Sequence, residues 1–437
     1  MNKYFKIFLL ILLVCTSIYI IVKIFQNILL NDQLNNLKIS NGNVSNVYHL
    51  SNASNASNAS NDSNDSNDIY NKNYLTMTEE DFDKIEISER WKYRIECLKH
   101  FNEFKKDYSK KDFIYPLPKK QNNGLIFVNL ASYRDPECAN TVKSLITNCS
   151  NWKRLRITIC EQNSEEDKPF YHDLNPMFKP IINAFGMSYK DARGPTWARF
   201  LIQQKYYGEQ YYLQIDSHTL FEKDWDTKLI NSLNQLPSKS CLTQYLPDYE
   251  IGTSKTTPKL RGNLFVSRIC SLDCFTRVNA EYLSVDNKYP KPFLSNGWSG
   301  CFSFSEGDIC TDAPIDCYTP DVFFGEEMDI ALRLFTRGWN FYSPNYPIAY
   351  TNFNRTYRET FWEKKGLGYN KNITLCSRLR FHYRFGTLPL YIRNKIEQEC
   401  PELLIEVNKF TFGKERTLKD YEKLIGYSFE TEKEMKN

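Results

Sequence analysis

The tripeptide Asp216-Ser217-His218 carries two side chains that could hold a metal ion, because a carboxylate and an imidazole two residues apart can reach one Mn²⁺-like cation. It follows the run QYYLQI (210–215), which predicts a β-strand. Open α/β sheets bind ligands beyond the carboxyl ends of their strands. A cation held there would offset the charge of a departing diphosphate. The spacing alone also fits an Asp that only caps a turn.

Two further segments place charged groups where a nucleotide diphosphate could be held. Arg134 and Asp135 follow an apolar run and open a predicted helix, where backbone amides and a carboxylate can face anions or ribose. Arg193 and Arg199 flank a Gly-Pro turn and could grip a diphosphate. A capping Asp and an arginine-stabilised turn explain the same residues without any ligand.

The segment PDVFFGEEMD (320–329) brings two acidic residues to the start of an amphipathic helix. The helix dipole favours acidic side chains there, which is a sufficient structural explanation. The functional alternative places Glu326 or Glu327 against a sugar or an acceptor hydroxyl, with Gly325 letting the backbone approach the ligand.

The elements around these segments alternate between strands and helices. This alternation predicts an α/β fold with a doubly wound, mostly parallel, Rossmann-like sheet. The predicted strands are 124–130, 155–160 and 210–215, and the predicted helices are 137–146, 195–206 and a helix from about 326 that ends before Gly338.

Composition limits the class of protein. With 41% hydrophobic and 15% aromatic residues, the 437-residue chain can bury a core, which excludes a disordered protein. The net charge of +4 is spread out, and no basic cluster is interleaved with aromatics, so we expect no nucleic-acid partner.

The N-terminal 85 residues indicate an anchor and a stem. An uncharged apolar run over 7–22, with Lys3 and Lys6 before it, predicts a transmembrane signal anchor at 7–25; a cleaved signal peptide and a buried helix are the alternatives. The positive-inside rule then gives a single-pass type II protein of the Golgi or endoplasmic reticulum membrane, with a lumenal catalytic domain. The Asn/Ser-rich residues 26–85 contain repeated Asn-x-Ser acceptors and predict a glycosylated stem.

The whole chain is therefore divided into a tail, an anchor, a stem, a helical lead-in, a catalytic domain and a charged helical C-terminal tail. Their predicted ranges are 1–6, 7–25, 26–85, 86–120, 121–400 and 401–437. Twelve cysteines lie beyond the apolar run, and this even number in a translocated domain favours disulfides over a zinc site, because no CxxC pair occurs.

Several long blocks resemble one glycosyltransferase family. The chain is similar to the polypeptide GlcNAc-transferases that include a cytosolic enzyme acting on a hydroxyproline of a ubiquitin-ligase subunit. The resemblance covers roughly residues 124–380. The blocks are FVNLASYRDPEC (127–138), ARGPTWAR (192–199), YLQIDSH (212–218), GWSGCFSF (297–304) and the stretch 313–344.

The resemblance implies a GT-A fold, UDP-GlcNAc as the donor substrate, a divalent metal, a protein acceptor, and transfer with retention to a polypeptide hydroxyl. In a front-face mechanism the leaving diphosphate oxygen can take the acceptor proton, so stabilising that oxygen is the main demand. By position, the resemblance assigns metal ligation to Asp216 and His218, nucleotide and diphosphate binding to Arg134, Asp135, Arg193, Arg199 and Asp216, and roles near the sugar or acceptor to Asp316, Glu326 and Glu327.

One position departs from the family's pattern. A third metal-ligating histidine is expected after the acidic helix, and Thr351 stands there instead. His382 offers an imidazole later in the chain, although a histidine near aromatics is more often a packed side chain. Thr351 or Asn352 with water could complete the metal shell more weakly.

Three functions remain open from the sequence. The first is an active Golgi polypeptide GlcNAc-transferase. The second is a non-catalytic binding protein that keeps the fold without turnover, and the third is the same chemistry with another UDP-sugar or a glycan acceptor.

Overall fold

The structure is a computed structural model that describes residues 81, 84–100, 113–249, 260–270, 275–284, 291–354, 356–361, 363, 371–430 and 433–435. All of them belong to one compact unit, Asn67–Asn437. The predicted anchor at 7–25 and almost all of the predicted stem lie outside the described residues. Among the residues described, none of the helices is long and apolar enough to cross a membrane.

The strands form one large sheet and three smaller pairs. Their bounds are β1 Ile126–Tyr133, β2 Leu155–Asn163, β3 Ile182–Ser188, β4 Tyr211–Asp216, β5 Thr219–Phe221, β6 Ser240–Thr243, β7 Leu260–Cys270, β8 Phe275–Ser284, β9 Phe293–Ser295, β10 Phe302–Glu306, β11 Asn340–Ser343, β12 Ala349–Thr351, β13 Tyr427–Ser428 and β14 Lys433–Glu434. The large sheet has the order β3-β2-β1-β4-β10-β6-β11-β9. The pairings make β10 and β9 antiparallel to the other six strands.

Helices cover both faces of this sheet. Their bounds are α1 Ile87–Arg94, α2 Cys138–Thr147, α3 Gly194–Gln203, α4 Trp225–Leu233, α5 Ile309–Asp312, α6 Glu326–Phe335, α7 Lys371–Phe385, α8 Leu390–Glu399 and α9 Leu418–Ile425. Helices α2 and α4 contribute to the hydrophobic core on one face. Helices α3, α6, α7 and α8 contribute to the core on the other face.

Strand β1 illustrates how the sequence supplies both cores. Ile126, Val128 and Leu130 are fully buried in the core of α2 and α4, whereas Phe127 lies in the core of α3 and α6. Successive side chains of a strand point to opposite faces, so a central strand must be largely apolar on both. Asn129 is a buried polar exception in β1, and its side chain donates to the Arg199 carbonyl at 3.0 Å. The predicted α/β fold with a mostly parallel sheet is confirmed: six of the eight strands in the large sheet are parallel, and two run the other way.

The predicted strands and helices occur with shifted ends, and the strands other than β1, β2 and β4 were not predicted, among them β3, which lies between the second and third predicted strands in sequence. The sequence places Asp216 after a third strand, but the structure makes that strand β4, because β3 intervenes. Strand β3 lies at the sheet edge with no fully buried residue, so it lacks the apolar run that marked the others. Strands β2 and β3 lie on one side of β1, and β4 lies on the other side, parallel to β1. The order in which the chain adds strands to the sheet therefore reverses between β1 and β4. Sheets of this kind bind ligands at such a switch point.

The lead-in and the C-terminal tail both pack onto the main unit. Helix α1 continues as a 3-10 helix, Ile95–His100, and residues 101–112 of the predicted lead-in are not described. In the tail predicted at 401–437, the Tyr421 ring contacts the Phe335 ring of α6 at 5.0 Å, and the Tyr421 hydroxyl donates to the Asn296 carbonyl at 2.7 Å. The tail is therefore continuous with the core at α6.

The expected disulfides are not formed among the cysteines whose side chains are described. Ten of them are free thiols, and eight of these are buried. Burial raises the pKa of several, including Cys138 and Cys310, because the interior disfavours a thiolate. In this part of the chain the cysteines act as small apolar side chains, a role that an even count cannot reveal.

A cluster of buried ion pairs joins α6 to α7. Asp316 accepts a hydrogen bond from Arg380 Nε at 2.8 Å and also pairs with Arg384. Arg384 in turn pairs with Asp329, which accepts from Arg333 Nε at 2.9 Å. Burial alone would raise the pKa of Asp316, but Arg380 and Arg384 lower it to about 2. These five residues form what we call the α6–α7 ion cluster.

Replacing Asp316 should reduce the stability of the protein. Asp316→Asn leaves two buried guanidiniums without their shared charge partner, and breaking a buried ion pair costs about 3–5 kcal/mol. Denaturant unfolding measures the loss. Asp308→Asn is the matched control, because the Asp308 side chain is 40% exposed and pairs with Lys120 near the surface. An unfolding free energy of Asp316→Asn equal to that of wild type would contradict a structural role for this carboxylate.

Candidate active site

Asp216 and His218 lie at the carboxyl end of β4, beside the end of β1. Asp216 is the register partner of Ala131. His218 Nε2 lies 3.6 Å from Asp216 Oδ2, a separation that one cation with ligand bonds of about 2.0–2.2 Å can bridge. The His218 side chain is buried and the Asp216 side chain is 26% exposed. The two predicted metal ligands therefore converge at the switch point of the sheet.

Asp135 contacts His218 at Nδ1, the ring nitrogen other than the one near Asp216. Its Oδ2 atom lies 2.8 Å from His218 Nδ1 and accepts from the Ser217 hydroxyl at 2.6 Å. Burial would raise the pKa of Asp135, but the hydrogen bond and charge of His218, together with Arg358, lower it to about 2. A carboxylate on one imidazole nitrogen directs the other nitrogen toward a metal. Asp135 was predicted to line the nucleotide site, and the structure places its carboxylate against His218 and Ser217.

Arg199 joins the strand end to the acidic helix. One terminal nitrogen donates to Asp216 Oδ1 at 2.8 Å and the other to Glu326 Oε1 at 2.7 Å. The second Glu326 oxygen accepts from the Thr196 hydroxyl. Gly300 lies directly against this pair, because a Cβ atom there would be 2.9 Å from Arg199 Nη1 and 3.0 Å from Glu326 Oε1. The sequence GWSGC thus needs glycine at this position.

Glu327 occupies the neighbouring position with a different environment. Its Oε2 atom accepts from the Tyr245 hydroxyl at 2.6 Å, and its Oε1 atom accepts from the Gly300 N–H at 2.8 Å. Burial raises the pKa of Glu327 to about 7, although both hydrogen bonds favour the carboxylate. Glu327 is partly exposed, whereas Glu326 is buried. Of the two glutamates, Glu327 is therefore the one that can meet a substrate.

Backbone contacts bring the arginine segment and the acidic segment together. The Asp321 N–H donates to the Arg193 carbonyl at 2.8 Å. Gly194 follows with φ +83°, and a Cβ atom there would lie 3.1 Å from the Val322 carbonyl oxygen. Glycine is needed for both reasons. Arg193 is half-buried at the N-cap of α3, close in sequence to the Arg199 contact but placed here by its main chain.

Arg134 lies at the edge of the site, where acidic residues already pair with it. Its guanidinium donates to both oxygens of Asp167, at 2.8 and 3.2 Å, and lies 3.4 Å from Glu359 Oε2. It also sits over the Tyr189 ring at 4.8 Å. The predicted nucleotide-site arginine thus borders the switch point, between the ends of β1 and β2.

Thr351, which stands where the resemblance led us to expect a third metal ligand, lies beside His218. Strand β12 pairs with β5, and the Thr351 hydroxyl donates to the His218 carbonyl at 3.4 Å. The Asn352 N–H donates to the same carbonyl at 3.0 Å. Throughout the described ranges, no group of three or more His, Cys, Asp or Glu side chains could hold a metal ion. The two side chains that converge here and could ligate a cation are those of Asp216 and His218.

Two predicted residues do not join the site. Asp316, predicted near the transferred sugar, belongs to the α6–α7 ion cluster, because two arginines of α7 reach it in the core. His382, the candidate substitute ligand, packs edge-on against the Trp91 ring at 5.1 Å, and its Nδ1 lies 2.8 Å from the Thr387 hydroxyl. His382 is thus a packed side chain, as the structural alternative expected.

Sequence reasoning missed Tyr245, Tyr357 and Arg358. Tyr245 follows the end of β6, which is parallel to β4, so a search of every strand end would have found it. Tyr357 and Arg358 contact Asp135 from an irregular segment, and no local pattern marks them.

The charges of the site fit a divalent cation. Four carboxylates and two guanidiniums give a formal charge of −2 when all are ionised and His218 is neutral. The carboxylates are Asp135, Asp216, Glu326 and Glu327, and the guanidiniums are Arg199 and Arg358. A mixed oxygen and nitrogen donor pair suits Mn²⁺-like metals, and a bound cation would balance the remaining negative charge.

Comparison with known proteins identifies one family. The sequence profile of Glycosyltransferase (GlcNAc) matches residues 125–180 and 175–431, more than half of the chain. No curated protein matches the chain. A crystal structure of GalNAc-T7 with UDP, GalNAc and Mn²⁺ aligns with TM-score 0.47 and 16% identity, over 70% of this chain and 57% of that chain. A crystal structure of S. aureus TarS 1–349 aligns with TM-score 0.35 and 10% identity, over 69% of this chain and 83% of that one. The family match carries the identification.

The raised pKa of Glu327 should appear in the pH dependence of stability. In the folded protein Glu327 keeps its proton up to about pH 7, whereas in the unfolded chain it ionises near its ordinary value. Its contribution to stability is thus complete at low pH and is lost as pH rises through about 7. Between pH 5 and pH 8, wild type should lose roughly 2 kcal/mol of unfolding free energy relative to Glu327→Gln. Denaturant unfolding at each pH measures it, and a pH-independent difference would contradict the assignment.

Proposed function

Because the chain belongs to the Glycosyltransferase (GlcNAc) family, we propose that this glycosyltransferase moves GlcNAc from UDP-GlcNAc to a polypeptide hydroxyl, of Ser, Thr or hydroxyproline, with retention. The catalytic unit has a GT-A fold under this proposal. One observation carries it: Asp216 and His218 converge at the switch point between β1 and β4, where such sheets bind ligands.

Asp216 and His218 would hold a divalent cation, with Mn²⁺ as the proposed metal. When bound, the cation neutralises charge on the donor diphosphate and stabilises it as a leaving group. Asp135 keeps the Nδ1 side of His218 occupied, so Nε2 faces Asp216. Arg199 fixes Asp216 by a charge-assisted hydrogen bond, which is shorter and stronger than a neutral one.

Glu327 is the proposed contact for the transferred sugar or the acceptor hydroxyl. It is the partly exposed member of the acidic pair, and Tyr245 and the Gly300 N–H hold its two oxygens in place. A carboxyl with a pKa near 7 can either accept or donate a hydrogen bond at neutral pH. Glu326 supports this role from behind by engaging Arg199 and Thr196.

The proposed setting is the secretory pathway. The anchor, stem and Asn-x-Ser acceptors support a type II protein of the Golgi or endoplasmic reticulum membrane with its catalytic domain in the lumen. Its partners would then be a nucleotide sugar and secreted or surface polypeptides, with the membrane bound through residues 7–25. Localisation of tagged protein and sensitivity to glycosidases test this directly.

One observation favours a second function, a binding protein without turnover. Thr351 stands where the family's pattern has a histidine, and its hydroxyl is engaged by the His218 carbonyl. A cation at this site would have fewer protein ligands, and hence weaker binding. Tight, metal-independent binding of UDP-sugars without transfer to any peptide would support this alternative.

The test of the main proposal is metal-dependent release of UDP by the full-length protein in detergent, with UDP-GlcNAc and an acceptor peptide library. Asp216→Asn should reduce the rate at least about 100-fold, because it removes a direct ligand and losing even an outer-shell partner costs 10–100-fold. Asp308→Asn makes the same chemical change away from the site. Asp308 follows Glu306, which pairs with Tyr211 at the start of β4, whereas Asp216 is at the end of β4. The rate of Asp308→Asn should equal that of wild type.

The outcomes separate the alternatives. Full activity of Asp216→Asn, or activity that persists after chelation, would overturn the metal assignment. Turnover with another UDP-sugar but not with UDP-GlcNAc would retain the site and correct the donor. Anomeric analysis of the glycopeptide by NMR decides between retention and inversion.

A further inference from the structure

The segment 356–361 lies across the end of β1 and contacts three consecutive residues there. The Tyr357 hydroxyl donates to Asp135 Oδ1 at 3.2 Å, and Arg358 Nε forms an ion pair with Asp135 Oδ2 at 3.3 Å. Arg358 Nη1 also donates to the Tyr133 carbonyl at 3.0 Å. Glu359 lies 3.4 Å from Arg134. Three consecutive side chains of this segment thus contact the backbone or side chains of residues 133–135.

Two side chains of this segment, Arg358 and Phe361, are largely buried. Thr356, Tyr357 and Glu359 are exposed. The Arg358 side chain is only 11% exposed, and Phe361 is buried with its ring edge-on to the Tyr133 ring at 5.6 Å. A surface segment that buries an arginine needs a charge partner for it. Asp135 is that partner, and its own side chain is fully buried.

The shared partner connects this segment to the proposed metal site. Asp135 Oδ2 receives the Ser217 hydroxyl, His218 Nδ1 and Arg358 on a single oxygen atom. The position of that oxygen sets the direction of the His218 ring, and the ion pair with Arg358 at 3.3 Å restrains that oxygen. Removing a group that contacts a metal ligand directly, as Asp135 contacts His218, alters metal affinity about 10–100-fold.

We propose that Arg358 is a positioning residue that orients His218 through Asp135, so that docking of the 356–361 segment and cation binding at Asp216 and His218 stabilise each other. This inference rests on the proposed metal-dependent function. Coupling of two binding events is reciprocal, so the cation must also hold the segment down by the same factor. Arg358 need not touch the substrate for this role.

The test measures Mn²⁺ affinity of the full-length protein by isothermal titration calorimetry without nucleotide. Arg358→Met keeps the apolar stem and removes both charged contacts, so Mn²⁺ affinity should fall about 10-fold. Arg358→Lys restores the charge and should recover part of the loss. Arg416→Met is the matched control, because Arg416 is also part-buried and donates to a backbone carbonyl, that of Trp339, but contacts no site residue among its described partners. Its affinity should not change.

A second measurement tests the reciprocal half of the inference. Trypsin can cleave after Arg358 only when the segment leaves β1, so saturating Mn²⁺ should slow that cleavage about 10-fold in wild type. Asp216→Asn should abolish the protection. If Arg358→Met does not fold, Tyr357→Phe removes one hydrogen bond to Asp135 and should weaken Mn²⁺ binding by a few-fold.

The result that overturns the inference is folded Arg358→Met, or failing that Tyr357→Phe, with wild-type Mn²⁺ affinity while Asp135→Asn loses affinity. In that case the metal site stands and only the coupling is removed. Absence of Mn²⁺ binding in wild type would instead overturn the metal part of the proposed function and this inference with it.

Discussion

The buried guanidinium of Arg199 is the interaction on which the site depends, because it is the only described side chain that engages both Asp216 and Glu326. The carboxylate on β4 and the acidic helix α6 are far apart in sequence and meet through this one cation. Several local features follow from it. Helix α3 must present Arg199 and Thr196 on the same side, and Gly300 must lack a side chain because the ion pair fills that space. A lysine could not replace this arginine, since its single ammonium cannot span two carboxylates in a fixed plane.

The order of strands explains why the sequence indicated some of these residues and hid others. Asp216 and Arg134 follow central parallel strands, and the rule that ligands lie beyond the carboxyl ends of strands was sufficient to select them. Strand β10 is antiparallel to β4, so the start of β10 lies beside the carboxyl end of β4. Gly300, which precedes β10, therefore reaches the site, where its N–H donates to Glu327. Periodicity carries no information about strand direction, and hence the role of GWSGC was visible only as part of a family resemblance. The edge strand β3 was missed because half-exposed residues give no apolar run.

Asp316 shows why a carboxylate in a well-matched block need not lie at the site. It lies in the same block, 313–344, as Glu326, yet its partners Arg380 and Arg384 come from α7, more than sixty residues later. A contact of that separation leaves no trace in local spacing. Asp135 is a second residue whose contacts could not be predicted from local spacing. Sequence position led to the prediction that it lines the nucleotide site, and only the structure shows that His218, Ser217 and Arg358 surround it.

The substitution at Thr351 then has a structural consequence for the metal site. The Thr351 hydroxyl donates to the His218 carbonyl, so the described residues would offer the proposed cation two side chains, Asp216 and His218, whose geometry must be held firmly by the residues around them. The structure provides such support on both sides: Arg199 restrains Asp216, and Asp135 restrains His218. A preorganised pair loses less conformational entropy when a cation binds, which offsets part of the affinity lost with the third ligand. The dense hydrogen bonding around Asp135 and Asp216 is therefore the feature that makes a two-residue metal site physically reasonable in this chain.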